Sequence, residues 1–428
     1  MLATSWTPLS FTGEAPKPLY GHTATYCPTA GGGAMIVFGG YNRGEFFADL
    51  WRLDFQEQRW QLLKPAGAAP PARRGHSATF CASTDSILVF GGLVDGRGRN
   101  DVWRFMIKEG PDGRWQPATA GGGPAARRGH SAVRERAGAV LIFGGRDGVG
   151  GRKLFNDLWK LNAEATSWTP LSPTGEAPEP RAGHTATYCP TAGGGAMIVH
   201  GGEGYGGECL ADLWRLDLQA NCWERLNPVG QGPSPRMQHS SILVPEINCL
   251  VVFGGVDEGP GLKEPSGFPG AGLGELRQQA LRGVMTYYSH WILQILRRVA
   301  APVLKLTSLP PALCCAEQLN TERSGNTAEF LLFHFSLSKG CGAWEATSWT
   351  ALSPTGEAPK PQYGHTATYC PTDGGGAMIV HGGPGPRERL LATNCAGHRA
   401  EATRAAAWAS GEGPRLGPSR AAPDCEPR

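Results

Sequence analysis

A Gly-His pair returns at a fixed interval along this chain: His22, His76, His130 and His184 stand 54 residues apart. Each pair opens the same series, which runs through an apolar stretch closed by Gly-Gly, an Asp-Leu-Trp or Asp-Val-Trp segment, and a second tryptophan. In 183–223 the series reads GHTATYCPTAGGGAMIVHGG, then ADLWRLD, then Trp223. A unit of this length cannot bury its own apolar face, so successive copies must stack into one continuous core. The repeat therefore takes precedence over a domain count drawn from the 428-residue length.

Each segment of the unit has a local reason to be a strand. ILVF and VLIF are short runs of β-branched and aromatic residues ended by Gly-Gly, as expected of strands buried on both faces. In D-L-W-R-L-D apolar and polar residues alternate, which predicts a strand with one buried face. The chain has 62 Gly and 35 Pro, which suits short strands joined by tight turns. Ten of the 13 tryptophans fall at the two repeat positions, so they are expected between repeats as packing, Trp159 among them.

The order Gly-His, apolar run, Gly-Gly, Asp-Leu-Trp and spaced Trp resembles the kelch-repeat family of β-propellers. The resemblance implies an all-β, kelch-type β-propeller of six blades. SWTPL at 5–9 recurs at 167–171 and as SWTAL at 348–352, so the chain starts mid-blade and its N-terminal strand is expected to complete the last blade. Kelch blades occupy 1–255, the fifth beginning at Gln238-His239. Residues 256–345 read as a long irregular insertion in that blade. Leu276, Ala280, Val284, Tyr288, Trp291, Ile295 and Val299 in it predict an amphipathic helix. At its end 329–337 (EFLLFHFSL) has strand character and is a stand-in for the missing third strand. The pattern resumes over 346–383, and 384–428 is expected to be a disordered tail. Residues 5–40 and 167–202 differ only at positions 11, 17, 19, 20 and 38 of the first copy, which points to recent duplication.

Several function classes receive no support from composition. The net charge of +3 provides no electrostatic case for nucleic acid or an anionic membrane. Of twelve cysteines, Cys27, Cys189 and Cys370 share one repeat position, and such residues lie at least a blade apart, so they are expected as small buried hydrophobes. Without a signal-peptide pattern at 1–10 or an 18-residue apolar run, the expected location is cytoplasmic.

Candidate sites follow from the repeat. His22, His76, His130, His184, His239 and His365 form a ring, but pseudo-symmetry spreads them around the axis, so no metal and no cofactor are expected. His200 and His381 replace the Phe that precedes Gly-Gly in other repeats, as satisfied core imidazoles or as a pH-sensitive seam. The sequence at 202–207 fits G-x-G-x-x-G, yet a strand and not a helix should follow it, so a dinucleotide site is rejected.

In an up-down blade, residues before Gly-His and after Gly-Gly emerge on one face. Arg73, Arg127, Arg181, Arg236 and Arg146 fall there, with Tyr41, Asn42 and Tyr205 among the remaining surface. In relatives that capture acidic peptides, loop arginines of this kind do the binding. Two readings of these arginines stand: an anion-preferring face, or guanidiniums that bond loop carbonyls between blades. The expected function is a non-catalytic scaffold that binds a partner protein or an acidic peptide through this face. The alternative is a metal-dependent enzyme of the oxidase or specifier kind, for which no catalytic motif is recognised.

Overall fold

The computed structural model describes residues 6–28, 33–148, 153–191, 194–245, 249–257, 330–337, 344–352, 364–372, 375–383 and 390–395. The helix expected within 276–299 lies outside them. Among the described residues the protein is an all-β propeller; the only helical segments are two short 3-10 turns, Ala82–Thr84 and Tyr205–Gly207.

Each sheet is an antiparallel meander in repeat order. The first is Thr23–Cys27, Ala34–Phe38, Leu50–Asp54 and Arg59–Leu63. The second is Ser77–Cys81, Ser86–Val94, Arg97–Met106 and Arg114–Pro117, with Ala66–Gly67 added in parallel at its edge. The third is Ser131–Arg134, Val140–Phe143, Leu158–Leu161 and Trp168–Leu171, and the fourth Thr185–Cys189, Ala196–Glu203, Cys209–Asp217 and Cys222–Leu226.

The fifth sheet starts as its siblings do, with Ser240–Val244 and Cys249–Phe253, and then takes Phe330–Leu337 as its third strand and Trp344–Leu352 as its fourth. Phe333 pairs with Leu250 on one side and Trp349 on the other and is fully buried. The stand-in strand is therefore real. The sixth sheet joins Thr366–Thr372, Gly375–His381, Leu390–Cys395 and Trp6–Leu9, with Trp6 opposite Thr393. Here the expectation of a disordered tail from residue 384 is corrected: Leu390–Cys395 is a strand between two partners.

Burial follows the sequence pattern. AMIVF of the first sheet, VLIF of the third and CLVVF of the fifth are buried at every position. In LWRLD, Trp51 and Leu53 are buried on one face, and Leu50 is buried on the other beside the half-buried Arg52 and Asp54, so the expected single buried face holds only in part. The Gly-Gly doublets let the next repeat approach closely. Gly39 has a φ of 66°, and a Cβ there would lie 2.8 Å from the Arg73 carbonyl oxygen and 2.9 Å from the His76 ring. Trp60, Trp115 and Trp223 are buried, whereas Trp159 is only half-buried and packs at the edge of its cluster, against the expectation for it. Cys27, Cys81, Cys189 and Cys370 are buried free thiols; burial pushes Cys189 up to about 12 and Cys81 and Cys370 up to about 11.

Candidate functional site at the mouth of the ring

The Gly-His pairs meet around one axis. Gly75 N–H donates to the Gly21 carbonyl, Gly129 to Gly75, Gly183 to Gly129, Gln238 to Gly183, Gly364 to Gln238 and Gly21 to Gly364, at 2.7 to 3.2 Å. These bonds run in a closed cycle. They require left-handed backbone at each link, φ 61–67° at the glycines and 55° at Gln238, the one link whose side chain pays for that conformation.

The histidines repeat the cycle one layer down. His76 Nε2 bonds the Thr23 hydroxyl, His130 that of Ser77, His184 Ser131, His239 Thr185, His365 Ser240 and His22 Thr366, at 2.8 to 3.0 Å. Each ring also packs on the residue before Gly-Gly of the preceding sheet. Phe38, Phe90, Phe143 and Phe253 meet His76, His130, His184 and His365 edge-on. At the other two junctions His200 Nδ1 lies 3.1 Å from His239 Nε2 and His381 Nδ1 3.0 Å from His22 Nε2. The histidines thus knit neighbouring sheets together. No group of three or more His, Cys, Asp or Glu suited to a metal occurs among the described residues.

The expected arginine face has to be corrected. Arg73, Arg127 and Arg181 have no exposed surface and Arg236 almost none. Each of the first three clamps the Asp of its own sheet's third strand bidentately, Asp101, Asp157 and Asp212, at 2.6 to 2.9 Å. Each also donates to the first glycine carbonyl of its Gly-Gly pair, Gly91, Gly144 and Gly201; Arg236 donates likewise to Gly254. The Asp carboxyls are held below their ordinary range: burial alone would raise them, and the arginine bonds overcome it. Carbonyl bonding is the reading these four residues follow, but within their own blade and not between blades as expected, with a carboxylate added at Arg73, Arg127 and Arg181.

The next residue along is the one that faces the mouth. Successive side chains of extended backbone point to opposite sides, so Arg74 and Arg128 turn outward where Arg73 and Arg127 turn inward. With Arg146, they line a cavity of about 190 Å³ over the ring of glycines. Ala182 and Met237 form its apolar side, and Glu203 is its one carboxylate among the described residues.

Arg128 and Arg146 are held together by a reciprocal pair of backbone bonds, 2.8 and 2.9 Å. Arg146 bridges to Glu203 at 2.7 Å. Burial lowers the Arg128 pKa, and Arg146 and Arg74 beside it lower it further, so positive charge is crowded here. The Nε atoms of Arg128 and Arg146 are buried without a hydrogen-bond partner. Arg74 sits over the rings of Tyr41 at 4.7 Å, Tyr20 at 5.2 Å and Phe46 at 5.7 Å, and donates to the Tyr20 hydroxyl.

Arg146 and Tyr41 are therefore at or beside the mouth. Asn42 pairs with Glu45 in the two-stranded ribbon Tyr41–Asn42 and Glu45–Phe46. Tyr205 is exposed on a 3-10 turn and does not line the cavity. Arg74, Arg128, Glu203 and Tyr20 were missed; the Arg-Arg doublets at 73–74 and 127–128 carried the signal. After residues 202–207 the chain continues as the strand Cys209–Asp217, so no helix N-terminus faces that glycine run.

The kelch-repeats domain described as KLHDC2/KLHL20/DRC7 matches residues 1–188 and 102–264, more than half of the chain. Human host cell factor 2 is 31% identical over 266 residues, which cover 58% of this chain and 31% of that protein. The mouse Rab9 effector protein with kelch motifs is 29% identical over 204 residues, covering 46% and 51%. The chain thus spans about half or less of these relatives' length. The solved structure of YjhT superimposes with a TM-score of 0.52 at 16% identity, covering 89% of this chain and 95% of that one, a likeness of fold.

Proposed function

We propose that this chain, which belongs to the kelch-repeat family of β-propellers, is a non-catalytic protein-interaction scaffold that holds an acidic segment of a partner at the mouth of its ring. The observation that carries the reading is the mouth itself: Arg74, Arg128 and Arg146 converge on one cavity that, among the described residues, holds a single carboxylate. Guanidiniums with unused donors, crowded by like charge, gain most from a partner carboxylate that accepts in pairs. Ala182 and Met237 give the opposite wall to an apolar side chain of the same segment. One relative is named as an effector of another protein, Rab9, which fits a role through protein contact.

The ring on this reading has six blades, the last completed by Trp6–Leu9. The closed cycle of bonds from Gly21 back to Gly364 supports that count. The free buried cysteines fit a reducing compartment, in keeping with the cytoplasm. Among the described residues no helix is long and apolar enough to cross a membrane.

Selection from a displayed peptide library against the full chain tests the reading. Enriched peptides should carry Asp or Glu beside an apolar residue. Their binding should weaken with added salt and fall by one to a few kcal/mol in the Arg128→Ala, Arg146→Ala double variant. Peptides without acidic residues, or binding indifferent to both changes, would contradict it.

A further inference from the structure

Three sheets carry the same ion pair with its arginine fully buried, and the first carries only half of it. In the second, third and fourth sheets an arginine fills a fixed set of acceptors: an Asp carboxylate, a glycine carbonyl, and the carbonyl two residues before it, that of Pro71, Ala125 or Glu179. Asp49, Gly39 and Lys17 hold the equivalent acceptor positions in the first sheet, but Leu19 stands where the arginine would be. Leu19 is buried and ends short. Beyond it lies a cavity of about 200 Å³ lined by Glu14, Lys17, Leu19, Phe47, Asp49 and Trp51.

The Asp49 side chain is exposed and has neither a hydrogen bond nor an ion pair, unlike its three counterparts. Phe47 occupies the position of Phe155, whose ring lies 4.2 Å from the Arg127 guanidinium. Lys17, the one cation at the cavity among the described residues, has its ammonium 5.7 Å from the centre of the Phe47 ring and pairs with neither carboxylate. Glu14 and Asp49 against Lys17 leave the cavity one negative charge. Two of the five differences between the duplicated segments fall here: Lys17 and Leu19 face Glu179 and Arg181 in the other copy.

We propose that this cavity is a socket for an arginine side chain of a protein partner, whose guanidinium takes the place that Arg73, Arg127 and Arg181 fill in the sister sheets. Asp49 accepts the fork in two parallel bonds, and Phe47 stacks on its plane. A lysine ammonium matches neither the fork nor the stacking geometry. The socket is separate from the arginine-lined mouth and does not depend on how that mouth is used.

Titration of the full chain with N-acetyl-arginine methylamide, followed by NMR shifts and calorimetry, tests the socket. Saturable binding in the millimolar range is expected, weaker by about tenfold for the lysine analogue and for the exposed Asp49→Asn variant, whose melting temperature should be unchanged. Leu19→Arg should fill the socket from within, abolish binding of the probe and raise the melting temperature. Equal binding by Asp49→Asn or by the lysine analogue, absence of saturation in the wild-type chain, or probe binding retained by Leu19→Arg would each overturn the proposal.

Discussion

Acid should unfold this propeller through its histidines, well before its carboxylates titrate. Burial, reinforced by neighbouring arginines, holds His76, His184 and His200 down at about 3, and burial alone holds His381 at about 4. It holds His22, His130 and His239 well below the ordinary value. All seven are neutral in the fold, while in the unfolded chain they take up protons near pH 6.5. Their contribution is therefore complete above pH 6.5 and lost as the pH falls below it. At pH 5.5 each unfolded imidazole is about nine-tenths protonated, a loss of between about 1 and 2 kcal/mol apiece, or about 10 kcal/mol for the set. That matches the whole stability of an ordinary domain, about 5 to 15 kcal/mol. Urea unfolding followed by tryptophan fluorescence from pH 8 to pH 4 should show stability collapsing between about pH 6 and pH 5, with a limiting slope near 10 kcal/mol per pH unit. His200→Phe with His381→Phe, which restores the phenylalanine of the other junctions, should remove two protons from that slope. A transition that begins only below about pH 4, the range of carboxylates such as Asp101, Asp157 and Asp212, and that ignores the double variant, would refute the reasoning.

Further consequences concern single residues. Arg181→Met should cost about 3 kcal/mol by urea unfolding, because Asp212, whose side chain is only 15% exposed, loses its cation and keeps only the bond from Trp214 Nε1. Arg127→Met should cost less, since the Asp157 side chain is 41% exposed and water can replace its partner. Gln238→Gly should raise stability by about 1 kcal/mol, read as a higher denaturation midpoint, because it relieves left-handed backbone at the one link of the cycle that is not glycine.

Most of the fold was legible because its determinants are local and repeated. Gly-His fixes the inner strand, the apolar run with Gly-Gly the second, and EFLLFHFSL had enough β-character to be found without the Asp-Leu-Trp pattern. Leu390–Cys395 was not found: LLATNC has no alternation of its own, and its pairing with Gly375–His381 and Trp6–Leu9 is what makes it a strand. The site was missed by one residue. Charge and repeat position select the 73–74 and 127–128 doublets equally, and only the backbone direction decides which guanidinium enters the blade. Trp159 shows the same limit, since its repeat position is shared with the buried Trp214 while its own burial depends on neighbours.

Arginine-selective labelling with phenylglyoxal, read by mass spectrometry with and without an acidic peptide from the selection, tests the central claim most directly. Arg73, Arg127, Arg181 and Arg236 should stay unlabelled in both states, whereas Arg74, Arg128 and Arg146 should be labelled in the free protein and protected when the peptide is bound. Labelling at the mouth that the peptide leaves unchanged would contradict the account.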